Sequence, residues 1–311
     1  MKRLLLLITI FISTVSFGQT NTSSISFDGM DDYIQVTHNV SLSLVNQSSF
    51  TVQCWVKNSE VWQSPQWGYI VTKTDHTAGW GFNGGYCLRV GADATVPFGY
   101  GALLETTVGE DNFFTENPIS DQWENIAMTY DGGYFKIYRN GIPTDSIVVN
   151  GDVVDYTGDL ILGAAGNGTT HFFDGLMDDL SIWDIVLSAN DVLNNMNCPP
   201  TGSETGLVGY WNFEEGTGTT SGDLSSNAND GTLIGGVTWS TDVPEYNCNV
   251  GVSELSSNNK ELIKIVNLLG QEVEFTPNTV LIYQYSDGTS EKVFTIEDEI
   301  PSKYLREDLQ K

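Results

Sequence analysis

Ser24-Ile25-Ser26-Phe27-Asp28-Gly29-Met30-Asp31-Asp32-Tyr33-Ile34-Gln35-Val36 opens a domain-sized stretch, and Phe172-Phe173-Asp174-Gly175-Leu176-Met177-Asp178-Asp179-Leu180-Ser181-Ile182-Trp183-Asp184 closes it. Each segment sets carboxylates beside a glycine within an apolar, strand-forming context. The first and last strands of a β-sandwich commonly lie side by side, so the two segments are expected to share one oxygen-rich site. Side chains on a strand alternate between its faces, which makes Asp28 and Asp178 the pair expected to converge.

Between these segments the chain reads as short strands separated by turns. Phe50-Thr51-Val52-Gln53-Cys54-Trp55-Val56 and Tyr134-Phe135-Lys136-Ile137-Tyr138-Arg139 both alternate with a period of two. The second is bracketed by Asp131-Gly132-Gly133 and Asn140-Gly141, residues that take positive φ at low cost and mark hairpins. Phe135 and Ile137 are then expected to face the core, with Lys136 and Tyr138 facing outward. One short helix is expected from Ser188 to Met196, with Ser188 as its N-cap and Asp191 in its first turn. Many short strands with one closing helix predict an all-β fold, a two-sheet antiparallel jelly-roll sandwich.

Composition narrows the function. The chain has 311 residues, 17% of them charged, with a net charge of −27. Nucleic acid and anionic membrane surfaces need a basic stripe, so neither is an expected partner. The N-terminus reads as a secretory signal over 1–18: Lys2 and Arg3 supply the positive region, Leu4 to Val15 the apolar run, and Ser16-Phe17-Gly18 the small residues before cleavage at Gln19. That run is too short for a membrane span, so no transmembrane segment is expected after cleavage, and the protein is expected to be secreted or on the cell surface. Export places the cysteines in an oxidising compartment. The pairings Cys54–Cys87 and Cys198–Cys248 are expected.

Taken in order, Phe27-Asp28-Gly29-x-Asp31-Asp32-Tyr33, Phe50-Thr51-Val52-x-x-Trp55-Val56, Trp123 with Ala127-Met128-Thr129-Tyr130-Asp131-Gly132, Tyr138-x-Asn140-Gly141, Phe173-Asp174-Gly175-x-Met177-Asp178-Asp179 and Leu187-Ser188 resemble the laminin G-like, concanavalin A-like jelly-roll domain. The resemblance runs over nearly all of 24–196 and assigns 19–197 to that domain. Residues 198–248 form a disulfide-closed partial unit. Within it, Gly206-Leu207-Val208-Gly209-Tyr210-Trp211-Asn212-Phe213-Glu214-Glu215-Gly216 resembles the strand that in this family normally precedes the Phe-Asp-Gly strand. Two placements stay open: a permuted element packed back onto the sandwich, or a small appendage. Residues 249–258 read as a linker. The segment 259–311, with an Asp287-Gly288 hairpin, resembles a C-terminal type IX sorting domain of the Bacteroidetes kind, a small β domain that implies the type IX secretion machinery as a partner.

The resemblance implies a glycan- or glycoprotein-binding module with structural calcium. Calcium takes six to eight oxygens in a flexible cage, and Asp28, Asp31, Asp32, Asp174 and Asp178 are the expected ligands. Sugars stack on aromatic rings and hydrogen-bond to amides; Trp62, Trp67 and Trp80, with Gln63, Gln66 and Asn83, are the expected ligand-binding residues. Catalysis finds little support. Some jelly rolls of this type hydrolyse glycans from a strand carrying Glu-x-Asp-x-x-Glu, and this sequence has no such strand; Glu105, Glu116 and Glu124 are the mid-domain glutamates to test. The expectation is a non-enzymatic module, with an adhesion or matrix protein as the alternative and a divergent glycoside hydrolase as the second.

Overall fold

The computed structural model describes residues 21–44, 47–59, 67–76, 82–91, 99–115, 118–245, 248, 262–267, 270–273, 280–285 and 290–294. The chain divides into two units, 1–249 and 250–311. The first unit contains strands β1 (Ser24–Asp28), β2 (Tyr33–Val36), β3 (Phe50–Asn58), β4 (Trp67–His76), β5 (Phe82–Gly91), β6 (Gly99–Thr106), β7 (Gly109–Phe114), β8 (Glu124–Tyr130), β9 (Tyr134–Arg139), β10 (Ile142–Val148), β11 (Leu160–Leu162), β12 (Asp174–Trp183), β13 (Leu207–Trp211), β14 (Thr220–Ser221), β15 (Gly231–Ile234) and β16 (Thr238–Ser240). Helices α1 (Val40–Ser43) and α2 (Ala189–Asn197) accompany them.

These strands build two antiparallel sheets of eight. The first runs β10-β9-β8-β3-β12-β1-β16 with β13 also paired to β12, and the second runs β14-β15-β2-β11-β4-β5-β6-β7. Alternation does the sorting: Phe50, Val52, Cys54 and Val56 of β3 share one core with Tyr86, Leu88 and Val90 of β5. Phe135 and Ile137 join that core. Tyr138 points to the other face yet is buried, packed with Trp183, Val192, Leu207 and Tyr210 where α2 covers the first sheet. The Asn140–Gly141 turn takes positive φ at both residues (52° and 76°), as a tight hairpin between β9 and β10 requires. Ser188 caps α2 reciprocally: its hydroxyl accepts from Asp191 N at 3.2 Å and the Asp191 carboxylate accepts from Ser188 N at 3.1 Å.

The stretch 207–240 feeds both sheets. β13 lies on β12 with Trp211 opposite Leu180, β16 lies on β1, and β15 lies on β2. Val208, Trp211 and Phe213 are buried in the same core as Ile25 and Phe27, so this stretch is part of the sandwich and not an appendage beside it. The Cys198–Cys248 disulfide closes it across a separation of 50 residues, a constraint worth about 4 kcal/mol in the chain-entropy picture.

The Cys54–Cys87 bridge does not form; both are buried free thiols. Cys54 faces the core from the first sheet. The alternation that turns Tyr86 and Leu88 inward turns Cys87 to the outer face of the second sheet, among Tyr69, Leu103 and Ala165. Burial pushes both thiols up, that of Cys87 to about 11.

The second unit is a small β domain, a three-stranded antiparallel sheet of β17 (Leu262–Val266), β18 (Val280–Tyr285) and β19 (Ser290–Phe294) in that order. Val266, Leu281 and Tyr283 are buried within it. Residues 1–18 and 249–258, expected to be a signal and a linker, and the expected Asp287-Gly288 hairpin lie outside the described residues.

Candidate functional site

The first and last strands of the opening motif pair do lie side by side, and the register decides which acids meet. β1 and β12 are antiparallel, with Asp28 opposite Asp174 and Ile25 opposite Met177. Asp178 therefore stands four residues along β12 from Asp174, roughly 13 Å at about 3.3 Å per residue. The expected convergence of Asp28 with Asp178 does not occur; Asp28 meets Asp174. Gly29 makes that approach possible, since at φ +73° a Cβ there would lie 2.8 Å from Asp174 Cβ.

Asp28, Asp31 and Asp32 bring one carboxylate oxygen each within 4.8 Å of one another. The local turn explains the arrangement. Asp28 Oδ1 accepts from Met30 N at 2.8 Å, Asp32 Oδ2 accepts from Asp28 N at 3.0 Å, and Asp32 Oδ1 accepts from Gly236 N. Asp28 and Asp31 are exposed, whereas Asp32 is buried. Burial raises the Asp32 carboxyl, with the two amide hydrogen bonds opposing and the charges of Asp28 and Asp31 adding to the rise. Asp174 is likewise raised by burial and by Asp28 and lowered by Ser59.

A second cluster lies on the outer face of the second sheet. Arg89 on β5 stands opposite Tyr69 on β4 and Gly101 on β6, while Phe114 on β7 stands opposite Gly101. With no side chain at Gly101, the Phe114 ring lies over it: a Cβ there would sit 2.1 Å from the ring. The Arg89 guanidinium packs 4.6 Å from the Phe114 centroid, 5.2 Å from Trp67 and 5.6 Å from Tyr69. Its Nη1 donates to Tyr69 Oη at 2.9 Å, while Nε has no acceptor. Trp67 and Phe114 pack at 5.1 Å, and His171 lies 5.6 Å beyond Tyr69. Burial pushes the Tyr69 phenol up to about 12, and burial with the Arg89 charge pushes His171 down. Trp67 remains partly exposed at the margin. Tyr69 and Arg89 are buried beneath the cluster, so what it offers at its margin is the partly exposed rings of Trp67 and Phe114.

Of the residues expected to bind ligand, Trp67 is in this cluster. Asn83 lies on β5 opposite Asp75, and Trp62, Gln63, Gln66 and Trp80 lie outside the described residues. Arg89, Tyr69 and Phe114 were not singled out from sequence. The signal was an arginine at an outward position in the buried strand Tyr86-Cys87-Leu88-Arg89-Val90. The glutamates tested for catalysis hold structure: Glu124 accepts from Arg139 Nε at 2.6 Å and from Tyr100 Oη at 2.8 Å, and Glu105 accepts from Gly84 N. Glu116 lies outside the described residues.

Residues 28–193, more than half of the chain, match the profile of the concanavalin A-like lectin/glucanases superfamily, Laminin_G_3. The chain belongs to this family. No curated protein matches the chain. Among solved structures, a candidate carbohydrate binding protein from Bacteroides ovatus ATCC 8483 superposes with a TM-score of 0.57 at 23% identity, over 74% of this chain and 63% of that one. The chain thus spans less than two thirds of that protein's length. A native heptameric SAP-like pentraxin from Limulus polyphemus superposes with a TM-score of 0.50 at 17% identity, over 71% of this chain and 96% of that one. Both likenesses concern the fold.

Calcium is the cofactor expected of a concanavalin A-like module. Asp28, Asp31 and Asp32, each with one carboxylate oxygen within 4.8 Å of the others at the end of β1, could hold a hard cation. Asp32 fits less well, because both of its oxygens already accept backbone amides. Asp178 belongs elsewhere on β12.

Proposed function

We propose that the chain is a secreted or cell-surface module that binds glycans or glycoproteins without catalysis. The outer face of the second sheet supports this reading, and the single observation that carries it is the grouping of Trp67, Tyr69 and Phe114 around Arg89. A pyranose stacks its C–H face on Trp67 while its hydroxyls meet the polar edges of the cluster. Trp62 and Trp80, with Gln63, Gln66 and Asn83, extend the ligand site in this proposal. Calcium held by Asp28, Asp31 and Asp32 stiffens the turn after β1. Residues 259–311 act as the type IX sorting address, and 1–18 as the signal removed on export.

The test is a glycan array probed with the full secreted chain, with and without calcium, beside Trp67→Ala. The expected result is binding to a defined glycan set, weakened at least tenfold by the substitution. Self-association or cell adhesion without glycan binding would replace this reading with the adhesion one, and turnover of a polysaccharide would replace it with the hydrolase one.

A further inference from the structure

Arg89 is a buried cation with no counter-charge. It is 8% exposed and points to the outer face of the second sheet, between the core residues Leu88 and Val90. Its guanidinium makes one hydrogen bond among the described residues, to Tyr69 Oη, and Nε has no acceptor. The ion pairs among those residues are Lys57–Asp242, Lys136–Asp131 and Arg139–Glu124. Arg139 also lies over a ring, 5.9 Å from the Tyr100 centroid, but the Glu124 carboxylate answers its charge. Arg89 has rings alone, in a chain with 40 acids against 13 bases. Glu110 on β7 acts electrostatically on Tyr69 and Cys87, yet it is exposed and is in none of these ion pairs.

Buried charges are ordinarily paired, because an unpaired one loses its hydration without recompense. Aromatic faces offset part of that loss, and the Phe114, Trp67 and Tyr69 rings lie 4.6, 5.2 and 5.6 Å from this guanidinium. They do not neutralise it, and its field reaches its neighbours. The Arg89 charge adds to the downward push of burial on His171 and opposes the upward push of burial on Tyr69 and Cys87. With His171 held toward its neutral form, Arg89 is the lasting positive charge of the group. Above it, solvent meets the partly exposed rings of Trp67 and Phe114, 5.1 Å apart. A sugar stacked on either ring lies on a surface with a positive charge fixed beneath it.

We propose that this site selects glycans carrying an anionic group, a carboxylate or a sulfate, and that Arg89 is its specificity-determining residue. The inference rests on the glycan-binding reading above and names the ligand class. Arg89 acts from beneath the rings without touching the ligand. A sugar whose C–H face stacks on a ring places an anion at its rim about 8 Å from the guanidinium; at an effective dielectric of about 20–40, opposite unit charges at that distance change affinity about five- to thirtyfold. The net charge of −27 gives anions no general reason to bind this chain, so a preference for the charged sugar reports the local cation.

Calorimetric titration of the full chain with two matched pairs of trisaccharides tests this: a galacturonate trimer against its methyl ester, and a sulfated galactose trimer against its desulfated form. At low salt the charged member of a pair is expected to bind about five- to thirtyfold more tightly, with the margin shrinking as salt rises from about 20 to 300 mM. A margin in the first pair alone assigns the anion to a carboxylate, and in the second alone to a sulfate. Arg89→Met is expected to bring the members of each pair within about twofold of each other, and Arg89→Lys to keep the preference. The paired ligands need no substitution, so they decide the matter even where Arg89→Met does not fold. Equal binding of charged and neutral members by the natural chain overturns the inference and leaves glycan binding standing, as does a preference that persists in folded Arg89→Met. An oligoglutamate peptide that binds as tightly as the charged sugars also overturns it, since charge without a sugar face would then suffice. A chain that binds no glycan at all overturns the proposed function itself.

Discussion

The two ends of the β1–β12 contact carry nearly the same letters and obey different physics. At one end Asp31 and Asp32 follow Phe27-Asp28-Gly29; Asp28 and Asp31 are exposed, and Asp28 and Asp32 accept backbone amides. At the other end Asp178 and Asp179 follow Phe173-Asp174-Gly175 with one more residue between. They are buried against Asn21 and Tyr210, and Asp179 Oδ2 is left without a hydrogen-bond partner. Solvation, not the count of acids, separates the two ends: a carboxylate in water needs no counter-charge, and a dry one does.

Trp211→Ala is the largest break available to this contrast. Trp211 is fully buried, and its Nε1 donates to Asn229 O at 3.0 Å. The substitution is expected to cost about 3–5 kcal/mol in urea melts, dismantling the strand that also carries Tyr210. A cost below about 1 kcal/mol would mean that 207–240 is not integral to the sandwich.

Lys73 tests the same rule with the sign reversed, as a buried base. It is fully buried, its Nζ lies 3.0 Å from His38 Nδ1, and it donates to Gly158 O. Burial lowers its pKa to about 8, with the charges of Asp159 and Asp155 opposing. The unfolded chain keeps this proton up to about pH 10.4. Between about pH 8 and 10 the unfolded state therefore binds more protons, and stability rises with pH, by up to about 3 kcal/mol in total. Denaturant midpoints across this range are expected to climb in the natural sequence and to stay flatter in Lys73→Met; equal slopes would refute the buried-base reading.

Smaller substitutions sharpen the acid comparison itself. Tyr210→Phe removes the hydrogen bond to Asp179 and is expected to destabilise the chain by about 1–3 kcal/mol. Asp31→Asn, at the exposed end, is expected to change stability by no more than about 0.5 kcal/mol. Similar costs for the two in parallel melts would erase the distinction between the ends.

Local chemistry was legible in the sequence; register and parity were less so. The hairpins at Asp131-Gly132-Gly133 and Asn140-Gly141 and the Ser188 cap depend on neighbours within a few residues, and they fold as expected. Adjacency of the two Phe-Asp-Gly strands was also readable. Their register was not, because a slide of four residues keeps every side chain on its own face; Asp28 therefore met Asp174 and not Asp178. The bulge in β12 at Asp179, between the Asp178–Trp55 and Ser181–Gln53 pairs, has no glycine to announce it. Cys54 and Cys87 both lie in strand-like runs, but a bridge also depends on which face each thiol takes. The Arg89 cluster spans four neighbouring strands of one sheet, β4 to β7, so its members are far more visible in space than along the chain. Glu214 was quoted for its strand context, and only the fold brings its charge to bear on Asp178 and Asp179.

The placement of β1 between β12 and β16 also sets a timetable. The Ser24 hydroxyl donates at 2.7 Å to the carbonyl of Asp242, 218 residues later in the chain, and β1 pairs with residues 238–240. At roughly 5–20 residues per second of synthesis, the earliest strand waits on the order of 10–40 s for its last neighbour. Its Ile25 and Phe27 meanwhile lack a finished ladder, and this first unit is a late-closing fold whose nascent form stays open to chaperones until its final strands arrive.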